Sequence, residues 1–290
     1  MKINHLKHKN INFSDWDDVV LNSKNSFIYA QSWLLDCIAP DWEALVSDDF
    51  EFVMPLPIKK KIGIKYVFKP FIAQQLGVFS KKKITEHIVN EFVKAIPYCS
   101  YEMALNEQNY ISNALTKPNF VLPLNDYYEE IVKKFGSNTI RNIQKAEKKS
   151  LIIEWNLNKA SFIRFFFGER KIDNFWESDV IKKLINVAVE KKSMQLIGVK
   201  SAEGEVIAAL GLLISDSRLI YLLPVSSKEG KEKLAMFLLI NEIIKRYCGS
   251  GRILDFEGSI IEGIARFYKG FGGEKRDYYV VKRLKPKFGK

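Results

Sequence analysis

Histidine is scarce in this chain and confined to its beginning. His5, His8 and His87 are the full set in 290 residues, so the second half contains no imidazole of its own. A Ser-His-Asp or Cys-His mechanism there would need His87 to reach across from the first part of the chain. Cysteine is equally sparse. Cys37, Cys99 and Cys248 are odd in number, far apart and without CxxC spacing. They read as reduced, mostly packed thiols rather than a disulfide framework. With so few histidines and cysteines, no metal site is expected. Long apolar runs are also missing, and none approaches the roughly 20 residues that span a bilayer. Asp15, Asp17 and Asp18 interrupt the stretch where a signal peptide would carry its apolar region. The expectation is a cytoplasmic protein with no transmembrane segment.

What the chain does have is a core and an excess of positive charge. Its hydrophobic fraction of 47% supports a folded interior. Its formal charge of +11 favours anionic partners such as nucleotides, phosphates, tRNA or an anionic lipid surface. A lysine-rich solvated surface is the plainer account of the same charge, and the lysines are scattered. No DNA partner is expected. A homodimer is compatible with the sequence without being demanded by it.

Patterning predicts an α/β chain of α+β character. Ser14 is placed as the cap of a helix from Asp15, and Gln31-Ser32-Trp33 opens a short helix. Glu43–Ser47 and Phe50–Leu56 flank Asp48-Asp49 as a hairpin. Lys65–Phe68 and the apolar Phe71–Phe79 continue a strand-rich stretch. Ile84, Ile88, Phe92 and Ile96 have helical spacing. Tyr101–Leu105 and Phe120–Leu124 are expected strands, and Tyr127–Phe135 is an expected helix. Ser137 is the expected cap of the next helix, from Asn138 to Lys149. Ser178 is placed as the cap of a helix through Val189, followed by a hairpin of Met194–Lys200 and Glu205–Ile214. Arg218–Leu223 is a strand whose regular pairing Pro224 is expected to end, since proline lacks an amide donor. Lys231–Tyr247 is a buried helix stopped by Gly249 and Gly251. Ile253–Phe256, Ile260–Lys269 and Asp277–Lys282 close the pattern as strand, helix and strand. The boundary between halves falls near Phe120–Asp126, giving domains of 1–122 and 123–290.

Several residues stand out chemically. Asp255 and Glu257 lie two apart on an expected strand, which puts both carboxylates on one face. They suit an amine-binding, proton-accepting pair; equally, one of them caps the next helix or pairs with Arg252 or Arg266. With no histidine near, the proton acceptor is a carboxylate, a tyrosinate or a water chain. Tyr268 is a proton shuttle or plain packing. Arg141 and Lys145, four apart, share a helix face and either hold a phosphate or meet solvent. Ser226, Ser227, Gly230 and Lys231 form a loop before a helix, where backbone amides could cradle a phosphate. Gln31 and Gln74, with Trp33 and Gln75, are candidates for an acceptor cleft. Ser259 is read as a helix cap.

Two stretches carry a resemblance. Ser137-Asn138-Thr139-Ile140-Arg141-Asn142-Ile143-Gln144-Lys145-Ala146 resembles a hallmark of the FemABX and related peptidoglycan-bridge aminoacyltransferases. So does Leu254-Asp255-Phe256-Glu257-Gly258-Ser259 followed by Ala265-Arg266-Phe267-Tyr268-Lys269-Gly270-Phe271-Gly272-Gly273, which also resembles the last motif of GNAT acetyltransferases. The resemblance implies two GNAT-like domains in tandem, each a mixed, mostly antiparallel sheet flanked by helices. It implies an N-acyltransferase or aminoacyltransferase with an amine acceptor, a small molecule or cell-wall precursor, bound between the domains. It gives Lys269 the task of stabilising developing charge. It makes Tyr221 and the Leu223-Pro224-Val225 break part of a strand that splays from its neighbour and offers an amide to a thioester carbonyl. Arg266 joins the substrate-binding group. No tightly bound cofactor is implied; the co-substrate is acyl-CoA or aminoacyl-tRNA. The 226–231 loop departs from the acetyl-CoA pattern, having one glycine where several are wanted, which favours aminoacyl-tRNA or another donor over acyl-CoA. The alternative is a catalytically degenerate GNAT-like protein that grips an anionic partner (nucleotide, RNA or cell-wall precursor) without turnover.

Overall fold

The computed structural model describes residues 1–284 except Lys171, Asp173 and Ser259. The proposed Ser259 cap therefore lies outside the described residues. By contacts the chain forms two compact units, Met1–Pro118 together with the chain from Asp277 onward, and Asn119–Arg276. The last stretch, assigned to the second half on sequence, thus belongs with the first unit.

In the first unit the elements are β1 (Ile3–Leu6), α1 (Phe13–Leu21), α2 (Ser32–Ile38), β2 (Glu43–Ser47), β3 (Phe52–Leu56), β4 (Ile58–Lys61), β5 (Ile64–Val67), β6 (Phe79–Ser80), α3 (Glu86–Lys94) and β7 (Tyr101–Leu105). Strands β1, β2, β3 and β6 pair antiparallel in that order. The β4–β5 hairpin joins β7 through a short parallel contact, Val67 against Tyr101. The core gathers Leu45, Met54, Val78, Val89, Phe92, Met103 and Leu105. Helix α1 begins earlier than expected because Asn12, not Ser14, caps it, accepting from the Ser14 amide. The apolar Phe71–Phe79 stretch is mostly not strand. Only Phe79 and Ser80 enter a ladder, and Leu76 makes an isolated bridge to Leu105. Burial without alternation is as compatible with irregular chain over a core as with a strand.

The second unit begins inside β8 (Leu115–Pro123) and continues through α4 (Tyr128–Val132), α5 (Ser137–Glu147), β9 (Ile152–Glu154), α6 (Lys159–Glu169), α7 (Phe175–Glu190), β10 (Met194–Lys200), β11 (Val206–Ile214), β12 (Arg218–Ser226), α8 (Lys228–Glu232), α9 (Ala235–Tyr247), β13 (Ile253–Asp255) and α10 (Glu262–Gly270). The chain then returns to the first unit within β14 (Glu274–Arg283), which pairs antiparallel with β7. Within the second unit the sheet order is β8-β13-β12-β11-β10-β9, antiparallel except for β12 with β13.

Local sequence explains the corrections here. Asn174 rather than Ser178 caps α7, its side chain accepting from the Trp176 amide. Helix α5 starts at Ser137 with Gly136 as its cap residue. The expected single helix from Lys231 is broken at Leu234, whose φ of +59° is left-handed. Ser227 caps the short α8 by accepting from the Gly230 amide at 3.1 Å, and α9 starts afresh at Ala235. Helix α9 buries Leu239, Ile240, Ile243 and Ile244 completely. Each such side chain favours the fold by about 1.5–3 kcal/mol over its exposed state.

Pro224 does not end pairing. Strand β12 runs to Ser226, with Pro224 opposite Leu210 on β11. The Ser227 amide donates to the Ile207 carbonyl at 3.0 Å, which makes Ala208 and Ser226 a non-hydrogen-bonded pair. By alternation Leu210 and Pro224 are another such pair, so β11 asks no amide of the proline. The missing N–H lies on the opposite edge of β12.

Candidate functional site

That opposite edge is where β12 loses its neighbour. The parallel pairing with β13 covers Arg218 to Ile220 and stops, because β13 ends at Asp255. From Tyr221 onward β12 has no partner there among the described residues. The register with β11 also skips Leu222, a bulge that locally bends and re-aims the strand.

An aromatic group fills the end of β13 beside this edge. Phe256, buried just past the strand, stacks on Tyr268 of α10 with centroids 4.9 Å apart and planes 17° apart. Tyr221 meets Tyr268 edge-on at 6.1 Å, and its hydroxyl donates to Met236 Sδ at 3.4 Å. Burial pushes the Tyr221 hydroxyl well above its ordinary pKa; Tyr268 adds to this and the positive Arg170 opposes it. Burial likewise raises Tyr268, the negative charge of Glu257 raises it further, and Arg170 pulls against both. Both hydroxyls therefore stay protonated through neutral pH. They are proton donors, and a tyrosinate base is not what this environment favours. Arg170, at the end of α6, was not singled out on sequence, since nothing local tells that its charge reaches two tyrosines 51 and 98 positions further on.

Lys269 follows Tyr268 on α10 and is exposed, with its ammonium 5.6 Å from the centroid of the Phe120 ring. Arg266 is exposed too and forms a surface ion pair with Glu262 one turn earlier. The two family-like motifs touch each other. The Gly136 amide donates to the Gly270 carbonyl at 2.8 Å. A Cβ on Gly270 would sit 2.3 Å from the Thr139 hydroxyl, so glycine is required for α10 to end against the start of α5. Arg141 and Lys145 lie on the exposed face of α5.

Asp255 and Glu257 do not form the expected pair. Asp255 is 1% exposed and its carboxylate is an ion-pair partner of the buried Arg218 on β12. It also accepts from the Asn119 side chain at 3.0 Å and from the Glu257 amide at 2.8 Å. Neither Arg252 nor Arg266 is its partner. A carboxylate so enclosed holds strands together rather than meeting substrate. Glu257 is half-buried and stands at φ +55°, so the strand alternation that put both acids on one face has already stopped. Non-glycine residues in that region are uncommon, and such strain gathers at functional positions.

The 226–231 loop is closed on itself. The Ser227 hydroxyl donates to the Ile207 carbonyl at 3.1 Å and accepts from Gly230. A Cβ on Gly230 would lie 2.1 Å from the Ile207 carbonyl oxygen, so this glycine serves close packing on β11. Ser226 is half-buried and Lys231 exposed. Gln31 and Gln74 belong to the first unit: Gln31 accepts from the Trp33 indole at 2.6 Å, and Gln74 from the Gln75 amide at 2.8 Å. Among the described residues no cluster of His, Cys, Asp or Glu could hold a metal ion, and no helix is long and apolar enough to cross a membrane.

No protein-family model matches the sequence, and no curated protein sequence matches it significantly. Solved structures do match. A crystal structure of FemX aligns with 98% of this chain and 97% of its own, at a TM-score of 0.68 and 12% identity. The C-terminal domain of a putative lysylphosphatidylglycerol synthetase from Agrobacterium fabrum aligns over 94% and 91%, at 0.59 and 11%. A tandem GNAT protein from the clavulanic acid biosynthesis pathway aligns over 99% and 100%, at 0.55 and 9%. At such identities the likeness is one of fold: the chain shares the fold of FemX and of the tandem GNAT protein.

Proposed function

We propose that the chain is an acyltransferase that moves an acyl or aminoacyl group from an activated donor to an amine. The observation that carries this reading is the open edge of β12 at Tyr221, against Tyr268 and within the field of Arg170, with Glu257 acting on Tyr268, in a fold shared with FemX. The amine nitrogen attacks the acyl carbon. A C–N bond forms and the C–O bond of an aminoacyl ester, or the C–S bond of a thioester, breaks. The proton lost by nitrogen passes to the Glu257 carboxylate, directly or through water. A leaving alkoxide takes a proton from Tyr268, which regains one from the protonated Glu257 through water, whereas a leaving thiolate departs unprotonated and Glu257 gives its proton to water. Lys269 supplies positive charge to the tetrahedral oxyanion, while Asp255 only positions β13 through Arg218.

The missing amide at Pro224 removes a backbone donor from the edge along which a pantetheine arm would lie, and the 226–231 loop spends its Ser227 and Gly230 amides within the unit; both support an aminoacyl-tRNA donor over acyl-CoA. The same two features favour the second reading, a degenerate binder of an anionic partner. The full chain is therefore to be melted with acyl-CoAs, free CoA, nucleotide-sugars and aminoacylated tRNA, each of which raises Tm if it binds the native state. The donor so found is then used in turnover with amine acceptors. Lys269→Ala is expected to lower kcat by roughly a hundredfold or more, as for loss of one oxyanion donor, with Tm unchanged. An unchanged kcat would sink the assignment of Lys269. Donor binding without turnover on any acceptor would favour the binder.

A further inference from the structure

We propose that the β4–β5 hairpin of the first unit is a finger that docks on a bilayer surface bearing anionic headgroups. This inference does not rest on the transferase reading. The hairpin turns at Ile62 and Gly63, with φ of +48° and +77°. Two-residue hairpin turns with both residues left-handed strongly prefer Asn-Gly or Asp-Gly, and a β-branched residue is a genuine outlier there. Yet isoleucine occupies the first position and is 92% exposed, with Ile64 beside it at 62%. Lys60 stands directly across from Lys65, and Lys61 across from Ile64. Like charges facing each other across a ladder destabilise it. The tip thus gives up stability in backbone strain to present two apolar side chains beside the exposed Lys60 and Lys61.

The surroundings point the same way. From Ile58 to Lys69, the hairpin and the chain leaving it, the sequence has five lysines and no Asp or Glu. Glu43 lies against Lys65 at 2.9 Å, and Lys59 extends over the Phe68 ring at 4.4 Å, while Lys60 and Lys61 are exposed. Apolar tips that enter the acyl boundary, flanked by long cations that reach back to headgroups, are the arrangement an anionic lipid surface rewards. A single-stranded nucleic acid would reward aromatic platforms, and neither tip residue is aromatic. A second copy docking through the same patch would set lysines against lysines.

The test is co-sedimentation of the full chain with mixed phosphatidylcholine–phosphatidylglycerol vesicles and with pure phosphatidylcholine vesicles. Binding is expected to the mixed vesicles only, and to fall with salt. Ile62→Asn is expected to weaken it at least about tenfold, since a buried isoleucine is lost. Its Tm stays the same or rises, because asparagine suits the turn; a merely structural tip predicts the opposite. Lys60→Glu with Lys61→Glu weakens binding by about tenfold or more. Lys148→Glu with Lys149→Glu, on the second unit, leaves it intact. No sedimentation with mixed vesicles, or undiminished binding by Ile62→Asn, overturns the proposal. Loss of a dimer in Ile62→Asn with vesicle binding unchanged overturns it in favour of a self-interface.

Discussion

Glu43 in the first unit and Asp255 in the second have both left water, at 2% and 1% exposure, yet they are accommodated differently. Asp255 faces one buried cation, Arg218, with the remaining acceptor positions taken by an amide side chain and a backbone N–H. Glu43 meets four donors that reach it from the surface: Lys7, Lys65, His5 and Tyr98. Lys7 and Lys65 are about half exposed, whereas Arg218 is 8% exposed. Burial pushes the Glu43 carboxyl pKa up, but hydrogen bonds from Tyr98, Lys65, His5 and Lys7 outweigh it and bring the value down to about 2. Burial of a carboxylate thus says little by itself. What matters is whether its partners share the burial, because a buried partner cannot turn to water when the acid is removed.

The sharpest way to break this contrast is to remove each acid. Asp255→Ala leaves Arg218 as a buried unpaired charge and should cost about 3–5 kcal/mol in urea unfolding. A cost below about 1 kcal/mol would show that water reaches the guanidinium. Glu43→Gln should cost less, about 2–3 kcal/mol, since the cations it releases can hydrate. The sign with pH follows from a carboxyl that ionises more readily folded than unfolded. Its contribution is fully present above the ordinary carboxylate pKa and is lost as pH falls toward 2. Unfolding curves from pH 5 to pH 2 should therefore converge for wild type and Glu43→Gln; curves that stay parallel would contradict the shift. The smallest effect is expected for Lys7→Ala or Lys65→Ala, under about 1 kcal/mol each, because either exposed lysine is one of several donors. A loss as large as that of Asp255→Ala would erase the distinction.

The same contrast shows what sequence could and could not supply. The hairpin around Asp48-Asp49, α3, α9 and the strands β10 and β11 were legible because local periodicity and turn chemistry decide them. The tandem fold was legible through the 137–146 and 254–273 motifs, which the structure brings into contact at Gly136 and Gly270. The role of Asp255 was not. Its partner lies 37 residues away, on a parallel neighbour whose register no local pattern encodes. Pro224 misled for a related reason: whether a proline interrupts a strand depends on which edge its nitrogen faces, and that parity is set by β11. Arg170 was invisible because its influence on Tyr221 and Tyr268 is exerted through space.

The second unit is an insertion within the first, and both crossings occur inside strands, at Pro118–Asn119 in β8 and at Arg276–Asp277 in β14. This orders assembly during synthesis. Every strand of the 119–276 segment leaves the ribosome before Asp277–Arg283, the stretch that β7 needs as its antiparallel neighbour. The inserted unit is thus free to fold while its host still waits, with one edge of β7 open, for a strand made after the guest is complete.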